Sequence, residues 1–347
     1  MDTIRTLTAL LQNSGCQYQI FDLGRRVQAM DNRQFAQVEL GQQAYPFPLQ
    51  RHAQFAIVYW NEQRQPWIWM LKFALDERGL LQQADVGQFI QYLLEAMGSR
   101  LHQSLTEEQQ QKLANNPYTF KPSEDKLAML HSQIRAQLDL ACSQYYEHAQ
   151  HYFSGGLGWD KWHTVGLQGI TDLCARLEQE QNGVLLRKAL THLPAQPLYA
   201  VLGALEHVTL PEKLAKRLSE LAEAEVKASD PDLFLLAALV RALAGAPANI
   251  LDATCDAILA SPAVCHPEVL IALAGRSWMS LENSGRAQRF LIRLAQTQNQ
   301  PLFNQLFADV VMLPALRGVM LPLLHASPSP SPELALALEQ LQQMTRG

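Results

Sequence analysis

The sequence predicts an α+β protein: a small N-terminal antiparallel sheet with helices, followed by an all-α, HEAT-like helical repeat or solenoid. Strand-like segments rich in aromatic and β-branched residues fall within residues 18–73. Past Gly158, Leu/Ala-rich stretches are interrupted by proline or glycine roughly every 17 residues, one short helix plus a turn. A hydrophobic content of 48% with only 18% charged residues is enough to bury a core in both parts.

The elements follow in order. Ile4, Leu7, Leu10 and Leu11 recur at helical spacing until Asn13-Ser14-Gly15 ends the helix. Tyr18 to Phe21 reads as a strand and Arg26 to Met30 as a weaker one, with Leu23-Gly24 as the turn or bulge between them. Phe55 to Trp60 and Trp67 to Phe73 are the strongest strands, joined by the Asn61–Pro66 loop as a hairpin and closed by Asp76-Glu77-Arg78-Gly79. A helix is expected from Asp85, as N-cap, to Met97, with Phe89, Ile90, Leu93 and Leu94 on its apolar face.

In the hairpin, Trp67, Trp69, Leu71 and Phe73 point one way and Ile68 and Met70 the other, so both faces are apolar. One face is expected on the two helices, and the other against the helical domain or a second subunit. This head spans residues 1–98. Residues 99–123 are Gln-rich, broken at Asn116-Pro117 and Lys121-Pro122, and read as a partly helical linker.

The helical domain occupies residues 124–347. Its first helix is predicted from Ser123 to about Phe153, with Leu127, Leu130, Ile134, Leu138 and Tyr145 on one stripe and Ser154-Gly155-Gly156-Leu157-Gly158 as its end. Breakers then fall at Asn182-Gly183, Pro194, Pro211, Pro231, Pro247, Pro262 with Pro267, Gly285, Pro301, Pro314 and Pro332. Two helices make a unit of about 34 residues, within the range of α-solenoid repeats. Similarity between units is weak, so an irregular helical bundle stands as the alternative. Ser327 to Pro332 reads as a stiff spacer before a last helix, Pro332 to Met344.

Four stretches resemble a bacterial protein family of unknown function associated with gammaproteobacteria: Phe21-Asp22-Leu23-Gly24-Arg25-Arg26-Val27, Tyr45-Pro46-Phe47-Pro48-Leu49-Gln50-Arg51-His52, Trp67 to Leu81, and Gly155 to Gly166. The resemblance covers nearly the whole chain and implies a soluble bacterial protein. It brings no activity, ligand or catalytic residue with it.

Net charge is −5. Residues 1–122 carry 11 Lys+Arg and 11 Asp+Glu, the remainder 17 and 22, so neither part is a basic domain and nucleic acid is disfavoured as a partner. Five cysteines, Cys16, Cys142, Cys174, Cys255 and Cys265, lack paired spacing and suit a reducing compartment. The N-terminus has no signal-peptide pattern, and the longest apolar run, Leu233 to Val240, is far short of the ~20 residues that span a bilayer. The expectation is a cytoplasmic protein that does not enter membranes.

No arrangement of residues matches an established chemistry, and no cofactor is expected. Arg25 and Arg26, beside Gly24, could clamp a phosphate or carboxylate, or Asp22 could pair with one of them to pin the turn. Tyr145, Tyr146, Glu147, His148, His151, Trp159, Asp160, Trp162 and His163 crowd around the glycine corner. His148 and His151 share a helix face, and with Asp160 and His163 they could form a metal or enzyme site; aromatic packing is the plainer account. Arg286, Arg289 and Arg293 line one helix face and could hold an acidic peptide or a nucleic-acid backbone, or simply face solvent.

Trp60, Trp67 and Trp69 suit either an interface or the core. The Cys265-His266 neighbours and Ser154 lack the context of a nucleophile, and no phosphate loop or dinucleotide fingerprint is present. The sequence therefore favours a non-catalytic scaffold with a protein partner. A metal-binding protein or enzyme near residues 145–163, or an anion binder at 286–293, remains as alternative.

Overall fold

The computed structural model describes residues 5–97, 106–107, 109, 111, 116–324 and 331–346. The chain divides into two compact units, Met1–Lys126 and Leu127–Gly347.

The first unit is built on a four-stranded antiparallel sheet of order β2-β1-β3-β4, with β1 Gln17–Asp22, β2 Gln28–Met30, β3 His52–Trp60 and β4 Pro66–Ala74. Register places Ile20 opposite Ile57 and Ile57 opposite Trp69, so the central strands feed one apolar face. Three helices join that core: α1 Leu7–Asn13, α2 Asn32–Glu39 and α3 Gln83–Met97. Phe35 of α2 meets Phe55 edge-on at 4.9 Å, and Phe89 of α3 meets Phe73 at 6.0 Å. Phe21, Ala56 and Val58, on the opposite face of the sheet, are also buried.

The sequence reading passed over α2, although its signals are present: Asp31 caps it, accepting from the Gln34 amide at 2.8 Å, and Phe35 and Val38 bury one face. Asp85 is not the cap of α3. The helix begins at Gln83, and Asp85 lies in its first turn, where a carboxylate still complements the helix dipole. Leu94 is exposed; Val86 and Ala96 complete the buried stripe instead. Residues 116–120, which the sequence reads as linker, lie along the free edge of β4. Lys72 donates to the Tyr118 carbonyl at 2.7 Å, Phe120 donates to Met70 at 3.1 Å, and the Tyr118 ring stacks on Phe73. Most of 99–115, together with Ile4 and Ser327–Pro330 of the predicted spacer, falls outside the described residues.

The single helix predicted from Ser123 to Phe153 is two, α4 Glu124–Gln137 and α5 Tyr146–Phe153. Asp139 takes a left-handed conformation (φ 55°), and the amide of Leu140 returns to the Arg135 carbonyl at 2.8 Å, a Schellman ending that stops α4. Tyr145 therefore leaves the predicted stripe and is exposed.

There follow α6 Leu167–Cys174, α7 Asn182–Ala189, α8 Ala195–Leu205, α9 Glu212–Lys227, α10 Leu233–Ala242 and α11 Ala248–Ala260. The last five are α12 Pro267–Gly275, α13 Ser284–Gln296, α14 Gln300–Met312, α15 Pro314–Leu323 and α16 Pro332–Arg346. The even-numbered helices α6, α8, α10, α12 and α14 pack each on the next, as do the odd-numbered α5, α7, α9, α11 and α13. Two layers result, joined by pairs such as α5 with α6 and α9 with α10. The α15 and α16 helices pack on α13 and α14.

The prolines mark helix starts more than helix ends. Pro194, Pro211 and Pro247 are N-caps, and Pro267, Pro301, Pro314 and Pro332 sit in first turns, where a missing N–H costs nothing. At Gly169 an added Cβ would come within 2.7 Å of the Tyr145 carbonyl oxygen, so the close approach of α6 to the start of α5 requires glycine there.

Candidate interaction surface

In the first unit, the turn after β1 is locked from inside. The buried Asp22 carboxylate accepts the amides of Gly24, Arg25 and Arg26, each at 3.1 Å, and the Tyr45 hydroxyl at 2.8 Å. Burial raises the Asp22 pKa against these hydrogen bonds and drives that of Tyr45 well up. Arg25 is fully buried, with Nε donating to the Pro48 carbonyl at 2.9 Å, and Arg26 is half-buried. Lys126 donates to the carbonyls of Leu23 and Gly24. Asp22 pins the turn through the main-chain amides of Gly24, Arg25 and Arg26.

Of the tryptophans, Trp69 is buried, Trp67 stacks on Tyr59 at 5.7 Å and Trp60 donates to Gln17 at 2.9 Å.

The glycine corner is a packed turn. Gly155 takes φ 83°, and the Gly156 amide closes α5 on the His151 carbonyl. A Cβ on Gly156 would meet the His151 ring at 2.4 Å. Trp159 stacks on His192 (5.4 Å, 10°), and the Tyr152 hydroxyl donates to its carbonyl. The candidates for a metal do not converge: His148 pairs with Thr164 at 2.9 Å, Asp160 with Lys161 at 3.3 Å, and His163 lies edge-on to Trp162. Among the described residues no group of three or more His, Cys, Asp or Glu side chains could hold a metal ion.

The arginine stripe on α13 is spent on α11. Arg286, buried, bonds Asp252 and Asp256 at 2.9 Å and the Ser280 carbonyl at 2.7 Å. Arg289 pairs with Asp256 at 2.6 Å, and Arg293 donates to the carbonyls of Leu259 and Ala260 at the end of α11. Hydrogen bonding from Arg286 holds the Asp256 carboxyl below the usual carboxylate range. The Cys265 thiol is pushed up to about 11, chiefly by burial, and the His266 ring caps α12; neither group is poised for nucleophilic chemistry.

The even-numbered layer carries a cluster that reading within single helices missed. Tyr199, Gly203 and Glu206 stand at i, i+4 and i+7 along α8 and its C-cap, and Phe234 and Arg241 are seven apart on α10. Both α8 and α12 pack on α10, yet Arg276, the C-cap of α12, reaches Glu206 with Nε at 2.8 Å. Arg241 stands 3.9 Å from the other Glu206 oxygen. Side-chain exposures rise from 9% at Glu206 through 22% at Arg276 to 37% at Arg241. His207, buried, lies 3.5 Å from Glu206.

The Arg241 side chain donates no hydrogen bond among the described residues, and Tyr199 and Phe234 are 37% and 62% exposed. Burial raises the Tyr199 pKa, Asp232 and Glu225 add to the rise, and Arg241 counters it, which puts all of these charges around the Tyr199 phenol. The legible signal was the period: 206, 241 and 276, like 199 and 234, share the 35-residue separation at which the Ser219 and Thr254 hydroxyls bond between α9 and α11.

Fold and surface together define a class: a small α+β head and a two-layered helical unit that presents exposed aromatic and arginine side chains on α8 and α10. The family model described as "Protein of unknown function (DUF3549)" matches residues 2–342, and the chain belongs to that family. No curated protein and no solved structure matches the chain. Among the described residues no helix is long and apolar enough to cross a membrane.

Proposed function

We propose that this chain is a non-catalytic interaction scaffold of the cytoplasm, a HEAT-like solenoid that recognises a protein partner with its even-numbered helical layer. The observation that carries the reading is the exposure of Tyr199 and Phe234 on neighbouring helices, beside an arginine with hydrogen-bonding capacity to spare. Aromatic and arginine side chains grouped in this way are the commonest anchors of protein interfaces. Five cysteines that form no disulfide among the described residues fit a reducing compartment. The polar groups of the glycine corner and of the α13 stripe are absorbed by packing and ion pairs, which favours recognition over chemistry.

The test is affinity capture from native cells with the wild type and a Tyr199→Ser/Phe234→Ser variant of unchanged Tm. One stoichiometric protein partner, retained by the wild type and lost by the variant, is expected. Identical captures by both proteins overturn the reading.

A further inference from the structure

We infer that Arg241 and Arg276 form a carboxylate clamp, and that the partner of the even-numbered layer presents an acidic, extended peptide segment to it. The inference rests on the scaffold reading and specifies its chemistry. At this end of the cluster two guanidinium groups share one carboxylate, Glu206, so the immediate ion pairing leaves one cation over. The division of labour is unequal. Arg276 holds Glu206 at 2.8 Å and the Gly275 carbonyl at 3.1 Å, closing the ends of α8 and α12 over α10. Arg241 is the more exposed, touches Glu206 only at 3.9 Å, and keeps its planar fork of donors for a second carboxylate.

Glu206 makes this geometry stable in the free protein by holding the two cations close. An incoming Asp or Glu side chain then completes a square of alternating charge instead of having to assemble it.

The surroundings define the rest of the segment. Gly203, one turn before Glu206, is exposed with open space where a side chain would stand, which leaves room for a peptide backbone to cross α8. Tyr199, one turn before Gly203 on α8, and Phe234, two turns before Arg241 on α10 with its ring 6.2 Å from that of His266, offer an apolar contact. Asp232, the N-cap of α10, and Glu225, which accepts the Asp232 amide at 2.8 Å, make the end of α10 away from Arg241 acidic. The segment that fits has a carboxylate at the Arg241 end, an apolar side chain in the middle, and no acid at the Asp232 end.

The experiment uses a random-peptide phage library selected on the full-length chain, in parallel on Arg241→Gln, on Gly203→Glu and on the Tyr199→Ser/Phe234→Ser protein. Arg241→Gln removes a surface-facing charge, and Gly203→Glu offers the clamp an internal competitor; matched Tm values verify both folds. Wild-type selections are expected to enrich peptides with Asp or Glu beside an apolar residue. Representative peptides should bind at least tenfold more weakly to Arg241→Gln and Gly203→Glu, with affinity falling as salt rises. Enriched peptides that lack acids, or that bind Arg241→Gln as well as the wild type while losing the aromatic variant, overturn the clamp and leave the scaffold reading standing. A library with no peptide enriched overturns both.

Discussion

The two units differ in how far they rely on arginine to meet their carboxylates. In the head, Asp22 is satisfied by three main-chain amides and a tyrosine, and Glu39 by the amides of Leu7 and Thr8 and the Thr8 hydroxyl. Burial raises the pKa of both. In the helical unit, the buried Glu206 and the half-exposed Asp256 are met by arginines, while the buried Asp172 takes the Ser132 hydroxyl at 2.7 Å and the Ser143 amide at 2.9 Å, with Arg176 at 3.5 Å. The difference follows from what each architecture leaves free. Turns and helix starts expose unpaired amides that a short acid can reach. Inside a stack the amides are consumed within each helix, so a donor that crosses from one helix to another sits on a side chain. That side chain is short, such as Ser132, where helices touch and long, such as Arg286, where they stand further apart.

The largest effect that tests this contrast is expected at Asp22. Asp22→Ala strands three amides and a hydroxyl without water and should cost about 4 kcal/mol in urea unfolding. Asp22→Asn retains one acceptor oxygen and should lose roughly half as much. A loss below about 1 kcal/mol for the alanine variant would break the account of the turn.

Next in size is Arg286→Met, which unpairs Asp252 and Asp256 while filling the same space. Because both aspartates reach solvent, the expected loss is about 2 kcal/mol, short of that for a fully buried pair. Adding Asp256→Asn to Arg286→Met should cost much less than Asp256→Asn does alone, as a double-mutant cycle would measure.

The third effect is one of sign. Asp256 has a lowered folded pKa, so its contribution is present above the ordinary aspartate value of about 3.9 and fades as pH falls through the lower folded value. The Tm gap between wild type and Asp256→Asn should hold at neutrality and close only in strong acid. Glu39, with its raised folded pKa, contributes fully below the ordinary glutamate value of about 4.3 and loses part of that as pH rises through the folded value. The lead of wild type over Glu39→Gln should therefore be widest in acid and narrow towards neutrality. Calorimetric scans of both variants across that range check the opposite slopes.

The smallest stability effect is expected at Arg241. Its single long ion pair near solvent predicts a change within about 0.5 kcal/mol for Arg241→Gln, so any loss of partner binding reports on recognition and not on folding.

Much of the fold could be read directly. The hairpin of β3 and β4 stood out through its Trp, Ile and Phe content, and most of the predicted breakers fall at helix boundaries. The misses have local causes. The α2 helix is short and polar on one side, and its two buried apolar residues, Phe35 and Val38, give little periodicity. The break before α5 depends on Asp139 adopting a left-handed conformation, which glycine would have advertised and aspartate did not. The arginines on α13 were recognised as a stripe, but a helical wheel does not say whether its charged face meets water or the aspartates of another helix.

What the sequence by itself determined is the order and kind of elements: strands where β-branched and aromatic residues cluster, helix starts where proline loses nothing, and a period near that of paired helices. These are properties of neighbours along the chain, decided by backbone sterics and side-chain spacing. Tertiary structure alone decided which charges remain available. Arg286 and Arg241 are alike as residues on helices, yet one faces two aspartates 2.9 Å away and the other only half of a shared glutamate. That distinction is made by Coulomb attraction and desolvation between residues that lie a full repeat apart in sequence and side by side in space.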